Sequence, residues 1–456
     1  MARLRTIKSA DVLRLGAVWR MRLPAQKAIS NVRGAAFAPA FLRSISTVLL
    51  CWLVAGMVLV AVATVAVAGQ SFRLEIGGTS ADSTFNSLDS FLGFPSRNTG
   101  TGSARWIASN NLGALQFEAQ AVLSFARGDD VALAALAAPL TPAAPPTTLF
   151  NLSRTFTPGS NATATVAIDR LSVAYAGPNL VVRAGRQAIT WGVGLVFHPG
   201  DIVAPFSPGA IDTSYKPGVD MIYAQYLFDS GADVQLIGVP RAAVAGGSVL
   251  AAASTYALRF TALSGSLDSS FTLARDRGDT VASFSLSGAL GGAAWNAEVV
   301  HWALAAGGRQ SAYVANLSNS GVIFDRNITY FAEYFHNPFG VASSVALDAL
   351  PTALSTRLGT GQLFTLGRDF LALGAQILLT PDIVVAPSAL ISLNDGSAVL
   401  AVAANYTLND NTDLSVNLSA PIGASGTEFG GRETSAASGV FATPARQITV
   451  RLVRFY

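Results

Sequence analysis

The feature that most constrains this chain is a set of segments, up to about ten residues long, in which apolar and polar residues alternate. In residues 115–125 (LQFEAQAVLSF) every odd-numbered residue is apolar, whereas the even-numbered positions include Glu118. The same alternation recurs in residues 256–261, 295–299, 328–334 and 413–420. Because successive side chains on a strand point to opposite faces, each segment predicts a strand with one apolar and one polar face. This pattern is typical of transmembrane β-barrels.

The composition also favours a membrane protein. Hydrophobic residues make up 51% of the 456 residues and charged residues 12%, which is about half the usual charged share. In lipid, only α-helices and closed β-barrels satisfy every backbone hydrogen-bonding group. Residues 44–72 are the only uncharged stretch long enough to cross as a helix. A β-sandwich or a solenoid would also alternate, but charges in mid-strand and large apolar side chains on the other face favour an all-β, antiparallel, up-and-down transmembrane barrel.

The N-terminal region has the features of an export signal. Residues 1–43 carry nine basic residues and a single acid, Asp11. The apolar run that follows ends at the sequence Ala66-Val67-Ala68, an A-x-A-like cleavage site. We therefore predict that residues 1–68 form a basic leader and a signal helix that is cleaved after Ala68. A permanent N-terminal anchor is the alternative, because the apolar run is longer than a usual signal core.

Export changes the charge balance. The leader holds nine of the 30 basic residues and one of the 27 acidic residues, so the full chain has a net charge of +3 and residues 69–456 have a net charge of −5. The basic isoelectric point therefore belongs to the leader and gives no support to nucleic-acid binding. The single cysteine, Cys51, lies in the apolar run, so the exported part has no disulfide and no thiolate metal site.

Short turns and longer connections alternate along residues 69–456. The sequence predicts tight turns at 110–113, 176–179, 229–232, 264–267, 290–294, 380–382 and 409–411. It predicts longer connections at 80–101, 128–160, 192–218, 337–361 and 422–445. Outer-membrane barrels alternate short periplasmic turns with long extracellular loops in this way. The count predicts a single barrel domain of about 18 strands, with 16 as the alternative.

The chain ends in another alternating stretch, QITVRLVRFY. One face carries four apolar or aromatic residues: Ile448, Val450, Leu452 and Tyr456. Arg454 lies on the same face and breaks the pattern. A final strand that ends in an aromatic residue resembles the signal by which bacterial outer-membrane proteins are recognised for insertion. It implies the barrel-assembly machinery as a partner.

Several motifs resemble one family. Residues 185–226 contain GRQ, TWG, a loop with proline and aspartate, and PGVD. Together with EYFHNPFG (333–340), LNDGS (393–397) and GTEFG (426–430), this segment resembles a poorly characterised group of porin-like outer-membrane proteins. The resemblance covers the chain from about residue 180 to its end. It implies a barrel in the outer membrane of a diderm bacterium and implies no particular substrate.

The third long connection, residues 192–218, is too apolar for a free loop. It is stiffened by prolines, which restrict the backbone. Long loops of this kind are usually functional. We predict that it folds into the lumen as a constriction, with Asp201, Phe206 and Asp212 as candidate lining residues. An outer cap that packs on neighbouring loops is the alternative.

Charged residues on the polar faces are the candidate pore-lining residues: Glu118, Arg183, Arg186, Arg259, Glu298 and Glu333. A lumen with charges of both signs selects weakly between ions. Arginine also pairs bidentately with carboxylates, so a purely structural role is the alternative for each of them. Arg183 and Arg186 are three residues apart and would face opposite ways on a regular strand. Either a bulge at Gly185 turns both inward, or one of the two lies near the membrane edge.

The exported part shows no catalytic or metal-binding motif. Its three histidines are His198, His301 and His336, and none has the spacing of a metal site. We predict no enzyme activity, no metal and no cofactor.

These observations predict a porin-like channel for passive diffusion of small solutes, surrounded by outer-membrane lipids. A homo-oligomer is left open, and no nucleic acid is expected. The first alternative is a barrel with a plugged, apolar lumen that transports lipids or hydrocarbons. The second is an outer-membrane hydrolase, which would need a histidine, a serine and a carboxylate within hydrogen-bond reach. A structural or adhesive barrel is the third.

Overall fold

The computed structural model describes residues 69–138, 148–209, 214–242 and 247–456. The predicted leader and signal helix (1–68) and the candidate lining residue Asp212 lie outside the described residues. Within the described ranges, no helix is both long and apolar enough to span a membrane.

Nineteen strands form one antiparallel sheet, and 18 of them close into a barrel. The first strands of the wall are β1 (Gln70–Asp82), β2 (Ser96–Leu112), β3 (Leu115–Gly128), β5 (Ala162–Ala176), β6 (Leu180–Gln187), β7 (Val219–Leu227), β8 (Asp233–Val239), β9 (Thr255–Ser264) and β10 (Leu267–Asp276). The remaining strands are β11 (Asp279–Leu290), β12 (Ala293–Ala303), β13 (Arg309–Ile323), β14 (Arg326–His336), β15 (Asp369–Thr380), β16 (Ile383–Ser392), β17 (Ala398–Asn409), β18 (Thr412–Ile422) and β21 (Arg446–Phe455).

The first and last strands close the barrel. β21 pairs with β18 on one side and with β1 on the other, in a register that runs from Arg73 opposite Phe455 to Asp82 opposite Arg446. Each strand of the wall is antiparallel to both neighbours. The prediction of an 18-stranded antiparallel barrel is therefore confirmed.

The connections differ between the two ends of the barrel. One end has short turns and both ends of the described chain. The other end carries the longer connections, which contain α1 (Leu88–Phe91), α2 (Asp129–Ala137), β4 (Ser153–Gly159), a 3-10 turn (Leu347–Ala349), α3 (Thr352–Gly359), β19 (Arg432–Glu433) and β20 (Phe441–Ala442). β4 pairs with the first half of β5 beyond the end of β6, and β19 and β20 form a separate hairpin. The sequence predicted these segments only as connections.

A two-glycine turn shows how the sequence sets the short end. Gly291 and Gly292 join β11 to β12, and both have positive φ angles, 57° and 89°. Two-residue hairpin turns of type I′ need positive φ at both central positions, and glycine adopts it without steric cost.

Alternation sorts the wall into an inner and an outer face. On β14, Glu333 and Phe335 are buried, whereas Tyr334 between them is 39% exposed. On β12, Glu298 and Val300 are likewise buried. Large apolar side chains of the other parity are exposed on the outside, among them Phe117, Leu258, Phe260, Phe271 and Leu317. The polar faces predicted from the sequence therefore point into the barrel.

Candidate functional site: the barrel interior

The described part of the connection between β6 and β7, residues 188–209 and 214–218, packs against inward-facing side chains of the wall. Phe197 stacks on Phe335 of β14 with a centroid distance of 4.4 Å and also contacts Phe370 of β15. The indole nitrogen of Trp191 donates to Gln235 of β8 at 2.8 Å. These described residues, 188–209 and 214–218, are called the lumen segment below.

The same segment joins an apolar cluster inside the barrel. Its buried residues Trp191, Phe197, Ile202 and Val203 lie in one cluster with residues of the wall and of the long connections. The wall and loop members include Val239, Val281, Val300, Trp302, Phe335, Leu354, Phe370 and Phe429. Burial of apolar surface is the main force that holds such a segment in place.

Two carboxylates of the wall anchor the lumen segment. Glu333 accepts hydrogen bonds from the backbone N–H groups of Leu195, Val196 and Phe197, and from the amide of Asn316. Glu298 accepts one from Gly200 N–H at 3.2 Å. Hydrogen bonds to a charged acceptor each contribute about 1.5–3 kcal/mol. Glu298 and Glu333 thus face inward but are covered by the lumen segment.

A buried ion pair joins two distant parts of the lumen segment. Lys216 Nζ donates to the carboxylate of Asp201 and to the backbone carbonyl of Ile189. Burial raises the pKa of Asp201 and lowers the pKa of Lys216, while their mutual attraction opposes both shifts. Lys216 and Asp201 therefore depend on each other to stay charged.

His198 lies in the same buried region. Its Nδ1 atom is buried and has no hydrogen-bond partner among the described residues. Burial lowers the pKa of His198, although Asp201 and Glu333 act in the opposite direction. The neutral imidazole is the form that fits this environment.

The second half of the lumen segment reaches the opposite part of the wall. The ring of Tyr215 lies 4.1 Å from the guanidinium carbon of Arg105 on β2 and 5.4 Å from that of Arg73 on β1. Arg105 in turn pairs with Asp169 at 2.7 Å. The segment therefore contacts widely separated strands of the barrel.

A polar arc of the wall lies beside these contacts. Inward positions of β1, β2, β16–β18 and β21 carry small neutral polar residues that are partly or fully exposed: Thr79, Thr101, Ser103, Ser388, Asn405, Ser415, Asn417, Ser419 and Thr449. Arg73, Arg105, Arg170 and Arg451 face the same space together with Glu75, Glu118 and Asp169. This set is called the polar arc below.

The candidate pore-lining residues lie in different parts of the barrel and contact different groups. Glu118 belongs to the polar arc and accepts from Gln120, which also accepts from Arg105. Arg259 donates to the Trp191 carbonyl at 2.8 Å and therefore helps to hold the lumen segment. Arg183 on β6 lies opposite Tyr223 of β7. The sequence did not single out Arg73, Arg105 or Arg451, although their alternation with apolar neighbours was a usable signal.

Arg186 is enclosed rather than open to the lumen. It forms a two-point ion pair with Asp220 at 2.9 Å for both contacts and donates to the carbonyl of Phe150. The pairings of β6 with β5 and β7 run through Gly185 without a register shift, so there is no bulge. Gly185 has a φ of 121°, and a Cβ there would lie 2.2 Å from the Leu171 carbonyl oxygen, so only glycine fits.

The residues predicted to line a constriction differ in their exposure. Asp201 is buried in its ion pair with Lys216, and Phe206 is half-buried. Asp212 is outside the described residues. The residues predicted as an insertion signal lie on β21 and just beyond it, with Ile448, Val450 and Tyr456 exposed.

The later sequence motifs bind the long connections to one another. Glu428 of the GTEFG motif accepts from the N–H groups of Leu366 and Gly367, each at 2.8 Å. Asp395 accepts from Glu428 N–H, also at 2.8 Å. Phe429 packs against Phe370, which contacts Phe197. These motifs are therefore tied to the packing around the lumen segment.

His301 and His336 lie on the outside of the wall. His301 Nδ1 is 2.8 Å from Ser311 Oγ, and His336 Nδ1 is 2.7 Å from Asp369 Oδ1. The serine and the carboxylate thus contact different imidazoles. In the part of the chain that the structure describes, no group of three metal-ligating side chains is found.

Comparison with known proteins adds distant structural similarity. No protein-family profile matches the chain, and no curated protein sequence matches it. OccAB2 of Acinetobacter baumannii is 9% identical with a TM-score of 0.49, over 85% of this chain and 98% of that one. OccK5 (OpdH) of Pseudomonas aeruginosa is 10% identical with a TM-score of 0.49, over 85% and 97%. A mutant of Rh. blastica porin is 10% identical with a TM-score of 0.41, over 85% and 99%. These similarities assign no function to the chain.

Proposed function

We propose that the protein is a porin-like channel of a bacterial outer membrane, through which small polar solutes diffuse passively. The observation that carries this proposal is the polar arc. Its neutral residues remain exposed inside the barrel, whereas the buried apolar inward residues pack in one cluster with the lumen segment and other long connections. A surface of serine, threonine, asparagine and arginine suits water and small polar solutes.

The location follows from the wall. A closed barrel with an apolar outer face suits lipid, because closure pairs the first strand of the wall with the last. The basic leader, the A-x-A site and the aromatic final strand support export and insertion by the barrel-assembly machinery. Outer-membrane lipids and small solutes are the proposed partners, and a homo-oligomer is compatible with this arrangement.

The proposed channel is tested by planar-bilayer conductance of the purified protein. Discrete current steps that scale with salt concentration are expected, because an aqueous path along the polar arc carries ions. Correct folding is checked by resistance to unfolding in detergent at room temperature. Folded protein that produces no current steps would contradict a channel open at rest.

The apolar cluster favours a second candidate. Trp191, Phe197, Leu354 and Phe370 lie together inside the barrel, so a plugged barrel that moves hydrophobic molecules is the alternative. Folded but silent protein, combined with saturable binding of a fluorescent fatty acid that Phe197→Ala weakens, would support it. An open channel that binds no such probe would exclude it.

We propose no catalytic step. A hydrolase needs a serine, a histidine and a carboxylate in one hydrogen-bonded series. Among the described residues, the contacts of Ser311 to His301 and of Asp369 to His336 are separate, which argues against it. Hydrolysis of a chromogenic ester that is lost in Ser311→Ala would contradict this view.

A further inference from the structure

A group of basic side chains meets on the outer face of the wall. His301 near the end of β12, Arg309 at the start of β13, His336 at the end of β14 and Arg368 just before β15 line one cleft of about 380 Å³. These strand ends all lie at the end of the barrel with the longer connections. The cleft is called the basic cleft below.

The parity of the strands places the basic cleft outside the barrel. On β12, His301 lies between Val300 and Trp302, both of which are buried and face inward. On β13, Ser311 and Tyr313 have the opposite parity to the buried Ala312, and Tyr313 is 49% exposed. The cleft therefore has no connection with the polar arc.

The charges of the basic cleft are unbalanced. The carboxylate in contact with it, Asp369, already accepts from Tyr334 Oη at 2.8 Å, His336 Nδ1 at 2.7 Å and Asn394 Nδ2 at 3.2 Å. Arg368 uses Nε and Nη2 on the carbonyl of Gly340. The cleft thus holds two guanidinium groups and two imidazoles beside one carboxylate that already accepts three hydrogen bonds. Such a set of donors suits a phosphate group.

The surface next to the basic cleft is apolar. Towards the middle of the wall, the outer face continues with Tyr313, Leu317, Tyr330, Tyr334 and Leu373, all exposed. Tyrosine at this level is typical of the boundary between lipid and water. A ligand that joins a phosphate to acyl chains would match both surfaces, with its chains on the apolar band.

We propose that the basic cleft binds the phosphate of a lipid headgroup in the outer leaflet. The proposal goes beyond the channel, because the cleft lies outside the barrel and a barrel that conducts nothing would keep it. Each basic residue near an anionic membrane surface strengthens binding by roughly fivefold. Arg309 is exposed, and it contributes to the cleft without a role in the interior.

The test is lipid binding to the full protein in uncharged detergent, measured by native mass spectrometry. The probes are dioleoyl phosphatidic acid, dioleoyl phosphatidylcholine with the same chains, and inorganic phosphate. Phosphatidic acid is expected to bind about tenfold more tightly than phosphatidylcholine, and inorganic phosphate is expected not to compete at equal concentration, since it lacks the acyl chains.

Variants locate the binding site. Arg309→Ala should weaken the binding of phosphatidic acid by roughly fivefold and that of phosphatidylcholine by less, because choline offsets the phosphate charge, and Arg309→Lys should restore most of the difference. Arg326→Ala is the matched control, because Arg326 is an exposed arginine at the opposite end of β14. Equal binding of the two lipids, an unchanged Arg309→Ala protein, or competition by inorganic phosphate would each overturn the proposal.

Discussion

At the scale of single residues, Gly200 brings the backbone of the lumen segment against a carboxylate of the wall. Its N–H group donates to Glu298, and a Cβ at this position would lie 2.0 Å from Glu298 Oε1. A larger residue at position 200 fits only if the Glu298 carboxylate moves away. The backbone itself must approach the carboxylate, which explains a glycine within an otherwise proline-stiffened segment.

Gly200→Ala is therefore expected to loosen the lumen segment, because the Glu298 carboxylate must move to admit the Cβ and the Gly200 hydrogen bond is lost. Overpacking of this kind costs about 1–3 kcal/mol. Lys216 is the only lysine after the leader, and its amine is buried in the ion pair with Asp201. Its reaction with an N-hydroxysuccinimide ester, measured by peptide mass spectrometry, therefore reports how often the lumen segment leaves its docked position. We expect Gly200→Ala to accelerate this reaction severalfold.

Gly209→Ala provides the control in the same segment. Among the described residues, a Cβ at Gly209 would meet only Ser207 Oγ, at 4.0 Å, and there it adds no clash. Labelling of Lys216 should stay at the wild-type rate. Equal rates for both alanine variants would show that the approach of Gly200 to Glu298 does not hold the segment.

At the scale of elements, the strands could be predicted because their signal is local and periodic. β2 and β13 are among the longest strands, with 17 and 15 residues, although neither is among the clearly alternating segments of the sequence. Their alternation is poor because glycine, serine and asparagine occupy both faces. Pairing with two neighbours, rather than apolar burial, determines these strands.

The partners of the inward carboxylates could not be predicted. Alternation indicated that Glu298 and Glu333 face inward. Their partners are backbone N–H groups of the lumen segment, more than 90 positions away in sequence. Backbone donors leave no side-chain pattern, so the sequence suggested open pore-lining charges where the structure has anchors. The basic cleft was missed for a similar reason, since it joins the ends of four strands.

Docking of the lumen segment against the wall is expected to weaken at acid pH because of His198. Burial lowers the pKa of His198 in the docked segment from the ordinary value of 6.5, so the released segment binds more protons. The contribution of His198 to docking is therefore present above pH 6.5 and is lost as the pH falls below it. Burial raises the pKa of Asp201, which acts in the opposite direction, and Glu333 and Lys216 also face this region.

The His198 contribution is isolated by substitution. We expect Lys216 labelling, corrected for the intrinsic amine reactivity, to rise between pH 7.5 and pH 5.5 in the wild type and to rise less in His198→Gln. His301→Gln, which alters a histidine on the outer face, should keep the wild-type response. A His198→Gln protein with the same pH dependence as the wild type would contradict the prediction.

At the scale of the whole molecule, the lumen segment packs against one side of the barrel interior and also contacts the charged residues of the polar arc, through Tyr215 on Arg105 and Gly218 N–H on Asp169. The acids Glu298, Glu333 and Asp201 are used to hold the lumen segment. The charges left on the polar arc are of both signs and pair closely, as Arg105 does with Asp169. A channel of this kind should discriminate weakly between small cations and anions.

Two neighbouring charges of the polar arc test whether ions follow it. Gln120 lies between Arg105 and Glu118, with contacts of 2.8 and 2.9 Å. In a potassium chloride gradient, Arg105→Gln should move the reversal potential towards cation selectivity, and Glu118→Gln should move it towards anion selectivity, because each removes one charge from the same place. Arg275→Gln changes an exposed arginine on the outer face of β10 and should leave the potential unchanged.

Opposite shifts from the two inner variants would place the ion path along the polar arc. If the protein conducts but neither inner variant shifts the reversal potential, ions pass elsewhere in the barrel and not along the polar arc.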